Sequence, residues 1–106
     1  MQNFHSESID RLYKAIMLLH SEEECAAFFE DLCTILELQD MSQRLDAAIM
    51  LKKGCNYQTI SKEIGISTAT ISRVSKCINY GSGGYDTVLA RLLEQENTMS
   101  TKEKNE

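Results

Sequence analysis

The stretch N-Y-Q-T-I-S-K-E-I-G-I-S-T-A-T-I-S-R-V-S-K-C-I-N at residues 56–79 constrains the fold more than any other part of the chain. Its isoleucine, serine and threonine content alone favours a strand. Strict alternation fails, because Thr68, Thr70 and Ser72 would then share a face with Ile64 and Ile66. Helical spacing succeeds twice. Tyr57, Ile60 and Ile64 line one face of a short helix that Asn56 can cap, and Ile71, Val74 and Ile78 line one face of a second that Ser67 can cap. Between them Gly65 can take the positive φ of a tight turn, and Ser61 is small where the two helices must cross. The spacing predicts a helix-turn-helix.

The rest of the chain reads as helices too. Proline, about 5% of an average chain, is absent from all 106 residues, which removes the commonest helix breaker. Ile9, Leu12, Tyr13, Ile16 and Leu19 form a helical stripe starting after Ser6 or Ser8 and ending near His20. S-E-E-E at residues 21–24 is a capping box, with Glu24 reaching back to the Ser21 amide, and it opens a helix to about Cys33. T-I-L-E at residues 34–37 repeats the box before a long helix. That helix runs to Lys53, where Lys52 and Lys53 can meet the last carbonyls and Gly54 can close it. Gly81, Ser82, Gly83 and Gly84 interrupt the pattern before a closing helix with Tyr85, Val88, Leu89, Leu92 and Leu93. Residues 94–106 lose the apolar pattern and read as a disordered tail behind one domain at residues 1–93. An all-α, six-helix fold is expected, from a chain that is 42% hydrophobic and 25% charged, ordinary values for a globular domain.

Charge is informative by position. The net charge is −5, against nucleic-acid binding by bulk attraction, yet residues 52–76 hold Lys52, Lys53, Lys62, Arg73 and Lys76 against Glu63 alone. A local basic face on an acidic body can hold a polyanion when specific contacts add to a modest electrostatic attraction. On the second helix of the motif, Thr68, Ala69, Ser72, Arg73 and Lys76 point away from the apolar stripe. Short polar groups at a helix start, followed by cations, suit a recognition helix in a major groove. The candidate double-stranded DNA contacts are therefore Gln58, Thr59, Lys62, Ser67, Thr68, Ala69, Ser72, Arg73 and Lys76. Among them Lys62 and Arg73 serve phosphates while Thr68 and Ser72 read bases.

Other chemistries find little support. There is no Gly-rich phosphate loop, no H-E-x-x-H and no G-x-S-x-G, so neither an enzyme nor a cofactor is expected. Cys25, Cys33, Cys55 and Cys77 include no C-x-x-C pair and read as reduced, mostly buried thiols rather than metal ligands, with His5 and His20 at the surface. Met17, Met41 and Met50 read as core filler. No apolar run approaches the roughly 18 residues that span a bilayer, and residues 1–10 lack a basic-then-apolar leader, so a cytoplasmic protein is expected. The competing reading is a helical interaction module whose basic helix pair docks on an acidic protein partner.

The sequence resembles a known family. A-T-I-S-R at residues 69–73, L-x-x-G ending at Gly54 with Arg44 ten residues earlier, and the six-helix order are similar to the Trp repressor superfamily. F-F-x-D-L-C-T-I at residues 28–35, Q-R-L at 43–45, S-T-A-T-I-S-R-V at 67–74 and N-Y-G at 79–81 resemble its small YerC/YecD group. The resemblance covers residues 9–93. It implies an intertwined homodimer, a transcriptional regulator with two reading heads about 34 Å apart on a palindromic operator. It also implies an effector site, because the two arginines that hold the indole in the Trp repressor align with Arg44 and Arg73. The glycine after the second arginine and the serine three residues further on are Val74 and Cys77 here. A valine side chain occupies space the glycine leaves open, which argues against tryptophan and leaves phosphates, a small-molecule effector of unknown identity, or acidic partners within the dimer for these arginines.

Overall fold

The computed structural model describes residues 5–104, with side chains described for residues 5–98. Six helices follow one another: α1 (Glu7–Met17), α2 (Glu22–Leu32), α3 (Ile35–Lys52), α4 (Tyr57–Ile64), α5 (Thr68–Tyr80) and α6 (Gly84–Lys104). There is no strand among the described residues. The helices group into two compact units whose boundary falls within α3, one ending at Gln39 and the other starting at Asp40.

Helix starts follow from local hydrogen bonding. Ser6, rather than Ser8, caps α1, its hydroxyl accepting the Ile9 amide at 3.1 Å. Ser21 accepts the Glu24 amide at 3.1 Å, but the Glu24 carboxylate reaches one residue further back than expected and accepts from the His20 amide at 2.8 Å. At α3 the box is reciprocal: Glu37 accepts from the Thr34 amide at 2.8 Å, and the Thr34 hydroxyl accepts from the Glu37 amide at 3.2 Å. These hydrogen bonds, the backbone one foremost, hold the Glu37 carboxyl below the ordinary carboxylate range.

The first unit is poor in interior. No residue of α1 or α2 is buried. Cys25, Phe28 and Phe29 are half-buried, and the two phenylalanine rings meet edge to face with centroids 5.7 Å apart. Leu12 and Tyr13, expected on a covered stripe, are exposed, and Met17 is 82% exposed instead of filling a core.

The second unit holds the core. Ala47 of α3, Ile60 of α4 and Ile71 of α5 are fully buried together, ringed by Met50, Leu51, Cys55, Ile64 and Ile66. The next residue on α3, Ala48, packs with Val74 of α5 and Leu89 of α6. Two adjacent alanines on α3 thus give close approach to α4 and α5 on one side and to α5 and α6 on the other. Lys52 does not turn to the last carbonyls of α3; its ammonium pairs with Asp86 of α6 at 2.7 Å, an exposed pair worth about 0.2–1 kcal/mol. Cys25, Cys33 and Cys55 are half-buried, whereas Cys77 is exposed rather than buried as expected. At the end of α5 an added Cβ on Gly81 would overlap the Cys77 carbonyl oxygen, so the chain can leave the helix there only as glycine.

α6 is longer than its apolar pattern predicts, continuing past Leu93 to Lys104. Residues 94–104 contain neither proline nor glycine, and six of the eleven are glutamate, glutamine or lysine, so backbone propensity can carry the helix on after the apolar pattern of the sequence stops.

The turn between α4 and α5 is built as the spacing predicts. Gly65 sits at φ +83°, and its N–H donates to the Ser61 carbonyl. An added Cβ there meets nothing within 4 Å, so the demand for glycine is set by the backbone and not by crowding. Gly65→Val should therefore lower stability by about 1–3 kcal/mol and Gly65→Asn by clearly less, as read by urea denaturation. Equal tolerance of both would contradict the turn geometry.

Candidate nucleic-acid interface

Asn56 starts α4 by accepting the Thr59 amide at 2.8 Å, and Ser67 starts α5 by accepting the Thr70 amide at 3.1 Å. Ser61, expected there only for its small size, does more: its hydroxyl donates to the Ile66 carbonyl at 2.6 Å and ties α4 to the turn that leads into α5. With Ile60 and Ile71 buried against Ala47, the orientation of α5 is set from below.

On the outer side, Gln58, Thr59 and Lys62 of α4 are exposed, as are Thr68, Ala69, Arg73 and Lys76 of α5. Ser72 is half-buried. Ser67 is exposed, but its oxygen serves the cap and also lies 3.0 Å from the Thr70 hydroxyl, so its hydroxyl is already engaged within the chain.

Arg44 and Arg73, distant in sequence, come to one surface cavity of about 300 Å³ lined by Asp40, Gln43, Arg44, Ile66, Ser67, Thr70 and Arg73. Sequence reasoning assigned no role to Asp40, Gln43 and Thr70. Their signal was helical spacing: Asp40, Gln43 and Arg44 fall three and four residues apart on α3, and the cap Ser67 and Thr70 and Arg73 of α5 fall three apart. The cavity offers two guanidiniums, one carboxylate, an amide and two hydroxyls above one isoleucine, a lining suited to a small polar ligand with an acidic group. Val74 does not line it; this side chain is 2% exposed between Ala48 and Leu89. Tyr85 of α6 packs on the same cluster. Burial pushes its phenol up, against the opposing pull of the Arg44 guanidinium.

Two short helices meeting across a left-handed glycine, with the second presenting an exposed polar first turn and cations behind it, define a helix-turn-helix protein. The family model for the Trp repressor protein matches residues 7–93. An uncharacterized Bacillus subtilis (strain 168) protein, YerC, is 45% identical over 102 residues, 96% of this chain and 98% of that protein. The crystal structure of a TrpR-like protein from Eubacterium eligens ATCC 27750 superposes with a TM-score of 0.79 at 45% identity, covering 82% of this chain and 90% of that one. That of a proposed Trp repressor from Staphylococcus aureus gives 0.79 at 46% identity, covering 83% and 88%. The chain belongs to the Trp repressor family.

Proposed function

We propose that this chain is a sequence-specific DNA-binding transcriptional regulator, a repressor that reads a palindromic operator as a homodimer in the cytoplasm. The observation that carries the reading is the α4–Gly65–α5 unit. Its packing residues face inward while Gln58, Thr59, Lys62, Thr68, Ala69, Arg73 and Lys76 are left exposed on the outer side. Lys62, Arg73 and Lys76 supply phosphate contacts that set affinity and register; the first turn of α5, with Ser67 as its cap and Ser72 behind it, faces base edges.

The dimer is supported by the first unit. Leu18, Ile35 and Leu36 are 71%, 69% and 67% exposed, and with Met17 they leave an apolar surface that gains about 25 cal/mol for each Å² withdrawn from water. A second copy covers it in this reading. The cavity between Arg44 and Arg73 is the effector site, for a small acidic ligand other than tryptophan, with Val74 already filling the space beside it. Ligand bound there touches Ser67, the cap of α5, and Thr70 and Arg73 within it, and so acts directly on the reading helix.

Retention of sheared chromosomal DNA on the immobilised protein at about 150 mM salt, where weak non-specific attraction is screened, tests the reading. A subset of fragments should remain bound. Loss of all fragments in parallel as salt rises would contradict it and favour docking of the basic helix pair on an acidic protein partner.

A further inference from the structure

The first turn of α5 carries little polar reach. Ser67 and Thr70 engage one another, the Ser67 oxygen taking the Thr70 amide and the two hydroxyls lying 3.0 Å apart. Thr70 and Arg73 wall the cavity, Ile71 is buried and Ser72 is half-buried. Thr68 and Ala69 remain as the exposed, unengaged side chains of that turn, the Thr68 hydroxyl having no partner among the described residues.

Neither can make the paired hydrogen bonds by which arginine reads guanine or asparagine and glutamine read adenine. Both present a methyl group. On the major-groove edges of the base pairs, the feature that a methyl complements is the 5-methyl group of thymine. Withdrawing two facing methyl groups from water is favourable without any directional bond, and cytosine, with hydrogen at C5, or a purine, with N7 on its major-groove edge, offers the Thr68 and Ala69 methyls no such partner.

We propose that Thr68 and Ala69 are specificity-determining residues that read thymine through its 5-methyl group, so each operator half-site carries thymines under the start of α5. The inference rests on the DNA-reading function proposed above and names what the head of α5 recognises.

The test uses the full chain and a duplex enriched by it from a random-sequence library, resynthesised with deoxyuridine in place of single thymidines. Deoxyuridine pairs as thymidine does and lacks only the methyl group. At the positions under α5, each replacement should weaken binding about fourfold, the transfer value of one buried methyl-sized group, while replacements elsewhere change nothing. Thr68→Ser, which keeps the hydroxyl and removes the methyl, should lose the discrimination at one position per half-site. Thr68→Val, which keeps the methyl and removes the hydroxyl, should retain it. Equal binding of thymidine and deoxyuridine duplexes throughout, or full discrimination by Thr68→Ser, would overturn the proposal and leave DNA recognition standing. Failure of the library to yield any preferred sequence would overturn both.

Discussion

Ile71→Ala should lower the free energy of unfolding by about 3 kcal/mol, within the range for removing a buried isoleucine side chain. Ile71 is completely buried, and it lies where α3, α4 and α5 meet. Its two fully buried neighbours can do little to close the void: Ala47 carries only a methyl group, and Ile60 is itself fully buried. The loss should be read by urea denaturation at one fixed protein concentration, because the stability of an associating protein depends on concentration. Lys76→Ala, at an exposed position, is the control and should change stability by no more than about 0.5 kcal/mol. DNA affinity should fall along with stability in Ile71→Ala, since the buried side chain fixes how α5 sits on α4. A stability change for Ile71→Ala as small as the control's would contradict the packing described for the second unit.

Arg73→Ala should weaken DNA binding about tenfold at constant salt, the scale of one lost charge-assisted contact, and reduce the salt slope by about one. The effect should be nearly the same on every sequence, because a phosphate contact positions the protein without reading a base. Arg73 is exposed, so the variant should unfold like the parent. Unfolding midpoint and affinity therefore separate a lost contact from a damaged fold. Lys62→Ala, exposed on α4, should act in the same direction. Changes at Ser72 should instead alter which sequence is preferred. An Arg73→Ala protein that binds as tightly as the parent, with an unchanged salt slope, would remove Arg73 from the interface.

What the sequence made legible is what is decided within a few residues. The caps at Ser21, Asn56 and Ser67 were readable because a side-chain oxygen has only to reach the amide three residues ahead. The turn at Gly65 was readable because a left-handed backbone favours glycine so strongly. Periodicity also marked the apolar face of α1, but it cannot say whether the same chain covers that face, and Leu12, Tyr13 and Met17 stand exposed. The extent of α6 was missed for the opposite reason: a helix can continue on propensity where the apolar pattern stops.

The candidate site divides along the same line. The outward residues of α5 followed from the stripe opposite them, whereas the pairing of Arg44 with Arg73 came from family resemblance. No local rule brings two residues on α3 and α5 to one cavity; the packing of Ala47 and Ala48 against Ile71 and Val74 does. Asp40, Gln43 and Thr70 went unassigned because their contribution depends on that packing. The fate of the Ser67 hydroxyl, shared between a cap and Thr70, depends on a rotamer that composition does not reveal.

The most direct test of the central claim is sequencing of the chromosomal fragments retained by the protein at about 150 mM salt, beside the same selection with Arg73→Ala. One palindromic motif is expected, with half-site centres about 34 Å apart, one helical turn, and the variant should recover the same motif in much lower yield. Fragments recovered in proportion to their abundance, with no shared motif and no difference between the two proteins, would contradict it.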